Sequence, residues 1–487
     1  MPPHPESTPD LVGGLSKGVE GARDEIELLG VDIGGTFTDF VLLRNDQLVI
    51  HKLLSTPDDP SRALLEGVRD LRLASDGEII HGSTVATNAL LERKGARTAL
   101  LTTRGFADVI EIGRQNRLRL YDFAQSKPAP FVPPEWRFEV AERLDEQGRV
   151  LLPIDANDLN ALGERLIAEQ IESLAVCFLF SFLNPAHERA VRAALQIPYL
   201  SLSSDVLPEY REYERVSTTV INAYVAPIVA RYVEQLEHGL AGRRLRMMQS
   251  NGGSIRATTA KSVAARTALS GPAGGVVGAF AAAQLAGFDQ IITFDMGGTS
   301  TDVSLCAGEP LETSEGSIAG FPLRLPMLDI HTVGAGGGSL ARVDAGGALR
   351  VGPESAGAKP GPACYGRGGA HVTVTDANLL LGRLAPGKFL GGRMRLDVPA
   401  AEAATDRLAQ AMDCDRLTAA AGVVRVVNAT MERAIRRVSI ERGFDPREFT
   451  LVAFGGAGPM HACALAAALN IPRVLVPRHP GVLSALG

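Results

Sequence analysis

Two short stretches of this 487-residue sequence carry the same reactive groups at the same spacing. VDIGGTFTDFVL at 31–42 and FDMGGTSTDVSL at 294–305 align without a gap at an offset of 263 and are identical at seven of twelve positions. In each, an apolar run delivers an aspartate (Asp32, Asp295) to a glycine pair (Gly34 and Gly35; Gly297 and Gly298), and Thr-x-Thr-Asp follows (Thr36, Thr38, Asp39; Thr299, Thr301, Asp302). Adjacent glycines permit backbone angles that other residues resist and remove the side chains that would hold a phosphate off the backbone. The exposed amides and threonine hydroxyls can then donate to phosphate oxygens, while the leading aspartate is placed to hold Mg²⁺ through water. A single copy is equally well read as a tight hairpin. Recurrence implies duplication, with two half-cradles facing each other across a triphosphate. Asp39 and Asp302 could polarise a nucleophile or cap their hairpins by accepting from backbone amides.

A third glycine turn, FGGAGPMHACALAAAL at 454–469, contains Gly455 and Gly456 between a strand end and a helix. Here an adenine or ribose could lie against bare backbone near the helix N-terminus. Gly336, Gly337 and Gly338, after His331, either approach a nucleotide with their amides or form a hinge. Arg114 and Arg117 in GRQNR are solvated cations or contacts for an anion. Cys364 in GPACYGRGG has no histidine at a diagnostic spacing and reads as a small buried hydrophobe rather than a nucleophile. His371, His461 and the remaining cysteines read as structural.

These groups need a scaffold of strands ending in turns. IELLGVDIGGTFTDFVLLRNDQLVIHKLLST predicts a strand, a tight turn and further strands. SRALLEGVRDLRL has helical spacing, and EIIHGSTVATNALLERKG runs from a strand through a polar loop holding His81 into a helix. Residues 156–170 predict a helix and SLAVCFLFSF a buried strand, an alternation that implies an α/β domain. The 208–240 segment has a long amphipathic pattern broken at Pro227, and a lobe boundary is placed just before it, near 205. Residues 331–370 are glycine-rich and predict a long loop with little regular structure, of a functional kind. Helical sequence resumes near 399 and leads into the strand TLVAFGG.

The length favours two or three domains. Hydrophobic residues make up 45% and charged residues 21%, with a formal charge of −6, and no basic tract suggests a nucleic-acid surface. Five scattered cysteines without a CxxC pair fit a reducing cytoplasm. The polar, Gly/Pro-rich residues 1–26 read as a flexible tail rather than a secretory signal, and no apolar run is long enough for a bilayer.

The ordered trio of glycine turns resembles the ATPase superfamily of actin, Hsp70 chaperones and sugar kinases. Within it the sequence is much more similar to the hydantoinase A/5-oxoprolinase family, which includes ATP-binding subunits of hydantoinases, lactamases and the acetone and acetophenone carboxylases. The carrying segments run from about residue 28 to the end: GVDIGGTFTDFVLL, HGSTVATNALLERKGARTALLTTRGFADVIEIGRQNR, LSGPAGGVVGA, FDMGGTSTDVSL, HTVGAGGGSLARVD, GPESAGAKPGPACYGRGG and FGGAGPMHACALA. Members usually continue well past PGVLSALG, so a C-terminal part is expected to be absent here, as in a fragment, a truncated gene or a split subunit.

The resemblance implies a duplicated, ribonuclease H-like α/β ATPase fold of two lobes. Residues 27–205 would carry the first phosphate hairpin, and 206–487 the second with the adenosine turn. It implies ATP and Mg²⁺, with Asp32 and Asp295 as metal-holding residues and Asp39, Asp302 and His81 near the chemistry. The activity implied is ATP-dependent opening of a cyclic amide (hydantoin, 5-oxoproline or lactam) through phosphorylation of its carbonyl oxygen. A hydantoinase B-type partner is implied, and with it a hetero-oligomer. A ketone carboxylase subunit, a small-molecule kinase and a regulatory actin-like ATPase are the alternatives.

Overall fold

A computed structural model of the chain describes residues 27–35, 37–56, 58–116, 121 and 127–487. The tail expected at 1–26, Thr36 and Arg117 lie outside the described residues. The chain forms two compact units, one made of residues up to Gly82, Gly271–Leu311 and Leu328–Gly487, the other of Ser83–Ser270 and Glu312–Met327.

The first unit contains the same strand arrangement twice. Strands β1 (Leu28–Ile33), β2 (Phe37–Arg44), β3 (Gln47–Leu54) and β4 (Glu78–Gly82) pair in the order β4-β1-β2-β3. Strands β5 (Gln290–Met296), β6 (Thr301–Ala307), β7 (Ile330–Val333), β8 (Thr450–Phe454) and β9 (Arg473–Leu475) pair in the order β9-β8-β5-β6-β7. In both sheets the first hairpin is antiparallel, its second strand takes an antiparallel third, and its first strand takes a parallel neighbour, β4 or β8.

The correspondence extends to single residues. Asp32 lies opposite Asp39 and Asp295 opposite Asp302. One strand further out, Asp39 faces Lys52 and Asp302 faces Thr332. Each turn is closed by the same bond, Gly34 N–H to Phe37 O at 2.9 Å and Gly297 N–H to Ser300 O at 3.0 Å. This is the duplicated ribonuclease H-like α/β architecture that the resemblance implies.

Strand β5 shows why the second sheet is stable. Ile291 packs with Ala273, Val276 and Ala283 of helix α1 (Ser270–Leu285). Ile292 and Phe294 join Val427 and Met431 of helix α2 (Arg416–Val438) and Leu465 of helix α3 (Pro459–Leu469). With helices on both faces, the strand reads as a nearly continuous apolar run. Two expectations are corrected in this unit. The stretch 331–370 is not an irregular loop: Ser339–Val343 pairs with Leu349–Ser355, because Asp344 Oδ1 accepts from the amides of Gly346 and Ala348 and closes a hairpin turn. His81 is not on a loop but inside β4.

The second unit has a parallel four-stranded sheet in the order Tyr199–Leu202, Ser173–Cys177, Thr98–Thr103, Arg137–Val140. Helices Ala156–Ala168 and Ala186–Ala194 contribute to its core. The break expected at Pro227 does not occur, since helix Glu212–Gly239 runs through it. Val216, Val220, Ala223, Pro227 and Val233 are all buried, so packing around the helix outweighs the one hydrogen bond that proline removes. Among the described residues, no helix is long and apolar enough to cross a membrane.

Candidate functional site

In β1, Leu29, Val31 and Ile33 are buried in the core, and the strand's alternation turns Asp32 to the opposite face. Its Oδ1 atom is buried and, among the described residues, has no hydrogen-bond partner. The space around that oxygen is kept by glycine: a Cβ on Gly271 would lie 2.8 Å from it and one on Gly82 3.2 Å. Across the hairpin, Asp39 forms an ion pair with Lys52, whose Nζ also donates to Gly481 O at 3.2 Å.

The second hairpin repeats the arrangement with different support. Asp295 Oδ2 accepts from Ser484 Oγ at 3.4 Å. A Cβ on Gly455 would fall 2.2 Å from Asp295 Oδ1, and that glycine has φ +78. Asp302, at the position matching Asp39, accepts from the Thr332 hydroxyl where the first hairpin has the Lys52 ammonium.

Both hairpins belong to one unit, and their carboxylates feel one another. Burial pushes Asp32 up to about 7, with Asp39 and Asp302 adding to the rise and Lys52 opposing it. Burial raises Asp295 well above the ordinary range, reinforced by Asp302, Asp32 and Asp39 and opposed by the Ser484 hydroxyl. Burial takes Asp302 to about 6 against the Thr332 hydrogen bond, and raises Asp39 against the charge of Lys52. Four acidic groups held above their usual range, with one lysine among them, form a site that gains from an added cation.

Sequence reasoning missed Lys52, Ser484 and Gly271. Counting residues outward from the turn would have placed Lys52 opposite Asp39, since the two strands are joined by the short Asn45-Asp46 turn. Ser484 and Gly271 have no such local signal. The 480–487 segment, with helix α4 (Leu483–Leu486), is pinned beside the hairpins: Pro480 O accepts from Gly455 N–H at 2.9 Å, and Ala485 O would lie 1.8 Å from a Cβ on Gly30.

The expected phosphate donors divide into two groups. Gly298 and Thr299 are exposed and, among the described residues, their amides have no acceptor. Gly35 and Gly456 are also exposed, and a Cβ on either would meet nothing within 4 Å. By contrast, Thr38 and Thr301 are buried because the strand pleat turns them inward. The Thr38 hydroxyl lies 3.1 Å from Ser55 Oγ, which donates to Gly34 O at 2.7 Å, while Thr301 donates to Ala335 O. These hydroxyls brace the turns; the expectation that they reach phosphate is corrected.

The triple glycine is corrected in the same way. Gly336 N–H donates to Ser339 Oγ at 2.8 Å, Gly337 N–H to Gly297 O at 3.0 Å and Gly338 N–H to Gly298 O at 2.7 Å. A Cβ on Gly336 would lie 2.6 Å from the carbonyl carbon of Thr299, so these glycines permit a backbone to press against the second hairpin.

His81 is fully buried, its Nδ1 is 3.2 Å from Val31 O, and burial lowers it to about 4. A neutral ring between β4 and β1 holds the strand beside Asp32 and is cut off from solvent. Cys364 is buried and burial pushes its thiol upward, as expected of an inert cysteine. Arg114 lies in the other unit, bonded twice to Glu214 at 2.9 and 2.6 Å.

Among the described residues, no group of three or more His, Cys, Asp or Glu side chains could hold a metal by itself. The donors present suit a hydrated cation instead. Magnesium keeps several waters and takes one or two carboxylates together with phosphate oxygens. The orphaned Asp32 Oδ1, the raised Asp295 and the open Gly298 and Thr299 amides fit that combination.

The sequence and the fold have counterparts in known proteins. A family model described as hydantoinase/oxoprolinase N-terminal region matches residues 28–197, and one described as hydantoinase/oxoprolinase matches residues 215–487. The caprolactamase subunit alpha of Pseudomonas jessenii is 39% identical over 94% of this chain and 69% of its own length. The 5-oxoprolinase 1 of Arabidopsis thaliana is 38% identical over 94% of this chain and 40% of its own. A nucleotide-free acetone carboxylase structure superposes with a TM-score of 0.82 at 30% identity, covering 95% of this chain and 69% of that one.

Proposed function

Because the chain belongs to the hydantoinase/oxoprolinase family, we propose that it activates a cyclic amide at the expense of ATP, as a hydantoinase A-type subunit working with a hydantoinase B-type partner. One observation carries this reading: two register-matched hairpins in the same unit set Asp32, Asp39, Asp295 and Asp302 within one another's field, beside exposed amides suited to phosphate. The relatives named caprolactamase subunit alpha and 5-oxoprolinase support the choice of a lactam, hydantoin or 5-oxoproline.

An amide is a poor electrophile. Transfer of a phosphoryl group to its oxygen, in the imidate form, breaks a phosphoanhydride bond and makes that oxygen a leaving group. Water then adds to the ring carbon, the ring C–N bond of the tetrahedral adduct breaks to release the amine and leave an acyl phosphate, and a second water hydrolyses that acyl phosphate to carboxylate and inorganic phosphate. Phosphoryl transfer depends mainly on positioning and charge neutralisation. Magnesium, held through water by Asp32 and Asp295, would supply charge neutralisation. Gly298 and Thr299 amides orient phosphate oxygens, and the Thr299 hydroxyl adds a donor. Lys52 pairs with Asp39 and opposes the rise that burial gives it, and Asp302 accepts a proton at its carboxylate above about pH 6. His81 acts by position, holding β4 against β1.

A second reading, a subunit of an ATP-dependent ketone carboxylase, is supported by the superposition on acetone carboxylase. The same screen tests both. The chain, co-expressed with its partner, is given hydantoins, 5-oxoproline, lactams, or ketones with labelled bicarbonate, and substrate-dependent ATP turnover is measured. Stimulation by cyclic amides without fixation of label is the expected result. Label fixed into a ketone product selects the second reading, and turnover stimulated by sugars alone refutes both.

A further inference from the structure

The second unit contains a cavity of about 420 Å³ whose lining residues all belong to that unit and include none of the residues assigned above. This is within the size range of small-molecule sites, about 300–1,000 Å³. Ile110, Pro128 and Phe321 give it apolar wall, and the charges on its lining are unevenly matched. Arg114 donates from Nε and Nη2 to Glu214 in a two-bond ion pair. Lys127 Nζ has a backbone carbonyl, Ile112 O, at 2.7 Å.

Arg324 is different. Its Nη2 lies 3.1 Å from Glu209 Oε2, and its guanidinium sits 5.6 Å from the centre of the Tyr210 ring. Its Nε and Nη1 atoms are buried, and among the described residues neither has a hydrogen-bond partner. The residue is held in place, since its backbone amide donates to Thr218 Oγ1 at 2.9 Å. A guanidinium is always charged, and leaving its N–H groups dry and unpaired is costly unless something else accepts from them.

We propose that this cavity is a binding site for a small organic carboxylate with a short hydrocarbon body, its head seated on Arg324 and its chain against Ile110, Pro128 and Phe321. A guanidinium matches a carboxylate in charge and shape, and the apolar wall gives a hydrocarbon an advantage over an inorganic anion of the same charge. The inference is independent of the hairpin chemistry.

The test is calorimetric titration of the full chain with hexanoate, with hexan-1-ol and inorganic phosphate as controls. Hexanoate is expected to bind saturably with a dissociation constant on the order of 1 mM. Arg324→Met weakens it at least about tenfold, the value of one charge-assisted hydrogen bond. Ser317→Trp, at an exposed lining position, blocks the cavity while leaving Arg324 intact, and so serves if Arg324→Met does not fold. Asp295→Asn leaves hexanoate binding unchanged, which separates this site from the nucleotide reading. The proposal is overturned if hexanoate fails to saturate by about 20 mM. It is equally overturned if phosphate or hexan-1-ol binds as tightly, or if the folded Arg324 and Ser317 variants bind like wild type.

Discussion

Replacing Asp32 with asparagine removes a buried carboxylate oxygen that, among the described residues, has no hydrogen-bond partner, and the consequence for stability depends on pH. In the folded, nucleotide-free protein the carboxyl titrates at about 7 against 3.8 for an ordinary aspartate. Below 3.8 the group is protonated whether the chain is folded or not, and its stabilising effect is complete. As pH rises towards 7 the unfolded chain releases its proton first, so the folded state loses stability progressively. A displacement of that size corresponds to about 4 kcal/mol at most. Asp32 keeps some contact with solvent, which screens its charge and reduces the expected effect to about 2 kcal/mol. Asparagine has the same shape and no charge to bury. In EDTA without nucleotide, Asp32→Asn should therefore match wild type near pH 3.5 and exceed it by about 2 kcal/mol at pH 8, a rise in Tm of about 4 °C. Urea unfolding at both pH values measures the difference. Adding Mg²⁺ and a non-hydrolysable ATP analogue should then stabilise wild type and not the variant. A variant equally destabilised at both pH values, or stabilised by nucleotide as strongly as wild type, would refute the assignment of Asp32.

Lys52→Met removes the cation that opposes the rise of Asp39 and Asp32, so the acidic limb of the kcat/KM profile should move to higher pH; an unmoved limb would show that neither carboxylate limits turnover. Thr301→Val loses a buried hydroxyl that donates to Ala335 O and should cost about 1–2 kcal/mol in thermal unfolding, with nucleotide affinity kept. Thr299→Val, at an exposed position, should do the reverse, weakening nucleotide binding with Tm unchanged; the opposite pairing would restore Thr301 as a phosphate donor. Gly455→Ala places a methyl 2.2 Å from Asp295 Oδ1 at φ +78, and should abolish ATP turnover while costing about 1–3 kcal/mol of stability, read by parallel turnover and urea assays.

The repeated Asp-x-Gly-Gly-Thr-x-Thr-Asp pattern was legible in the sequence because a tight turn is a local event. The glycines, the strand ends and the register of Asp32 with Asp39 all follow from residues within a dozen positions of one another. The duplicated topology followed for the same reason, since each hairpin predicts its own sheet. Less local features were read incorrectly. Pro227 signals a break, yet helix Glu212–Gly239 continues because every residue from Arg215 to Pro227 is buried by its surroundings. His81 looked like a loop residue, and pairing of β4 with β1 extends the strand through it.

What composition and spacing determined by themselves was a pair of Asp-x-Gly-Gly hairpins and a third glycine turn, because those signals reside in backbone permissiveness. Only the tertiary structure decided which groups serve them. It brings Lys52, Gly271 and Ser484 beside aspartates, the last two from segments far apart along the chain. It also turns Thr38 and Thr301 into the core and commits the amides of Gly336–Gly338 to bracing the second hairpin. The physical reason is that a side chain's partners and charge state are set by what folds against it: burial, which no window of sequence contains, is what raises these four acids, and neighbouring carboxylates add to the rise of Asp32 and Asp295.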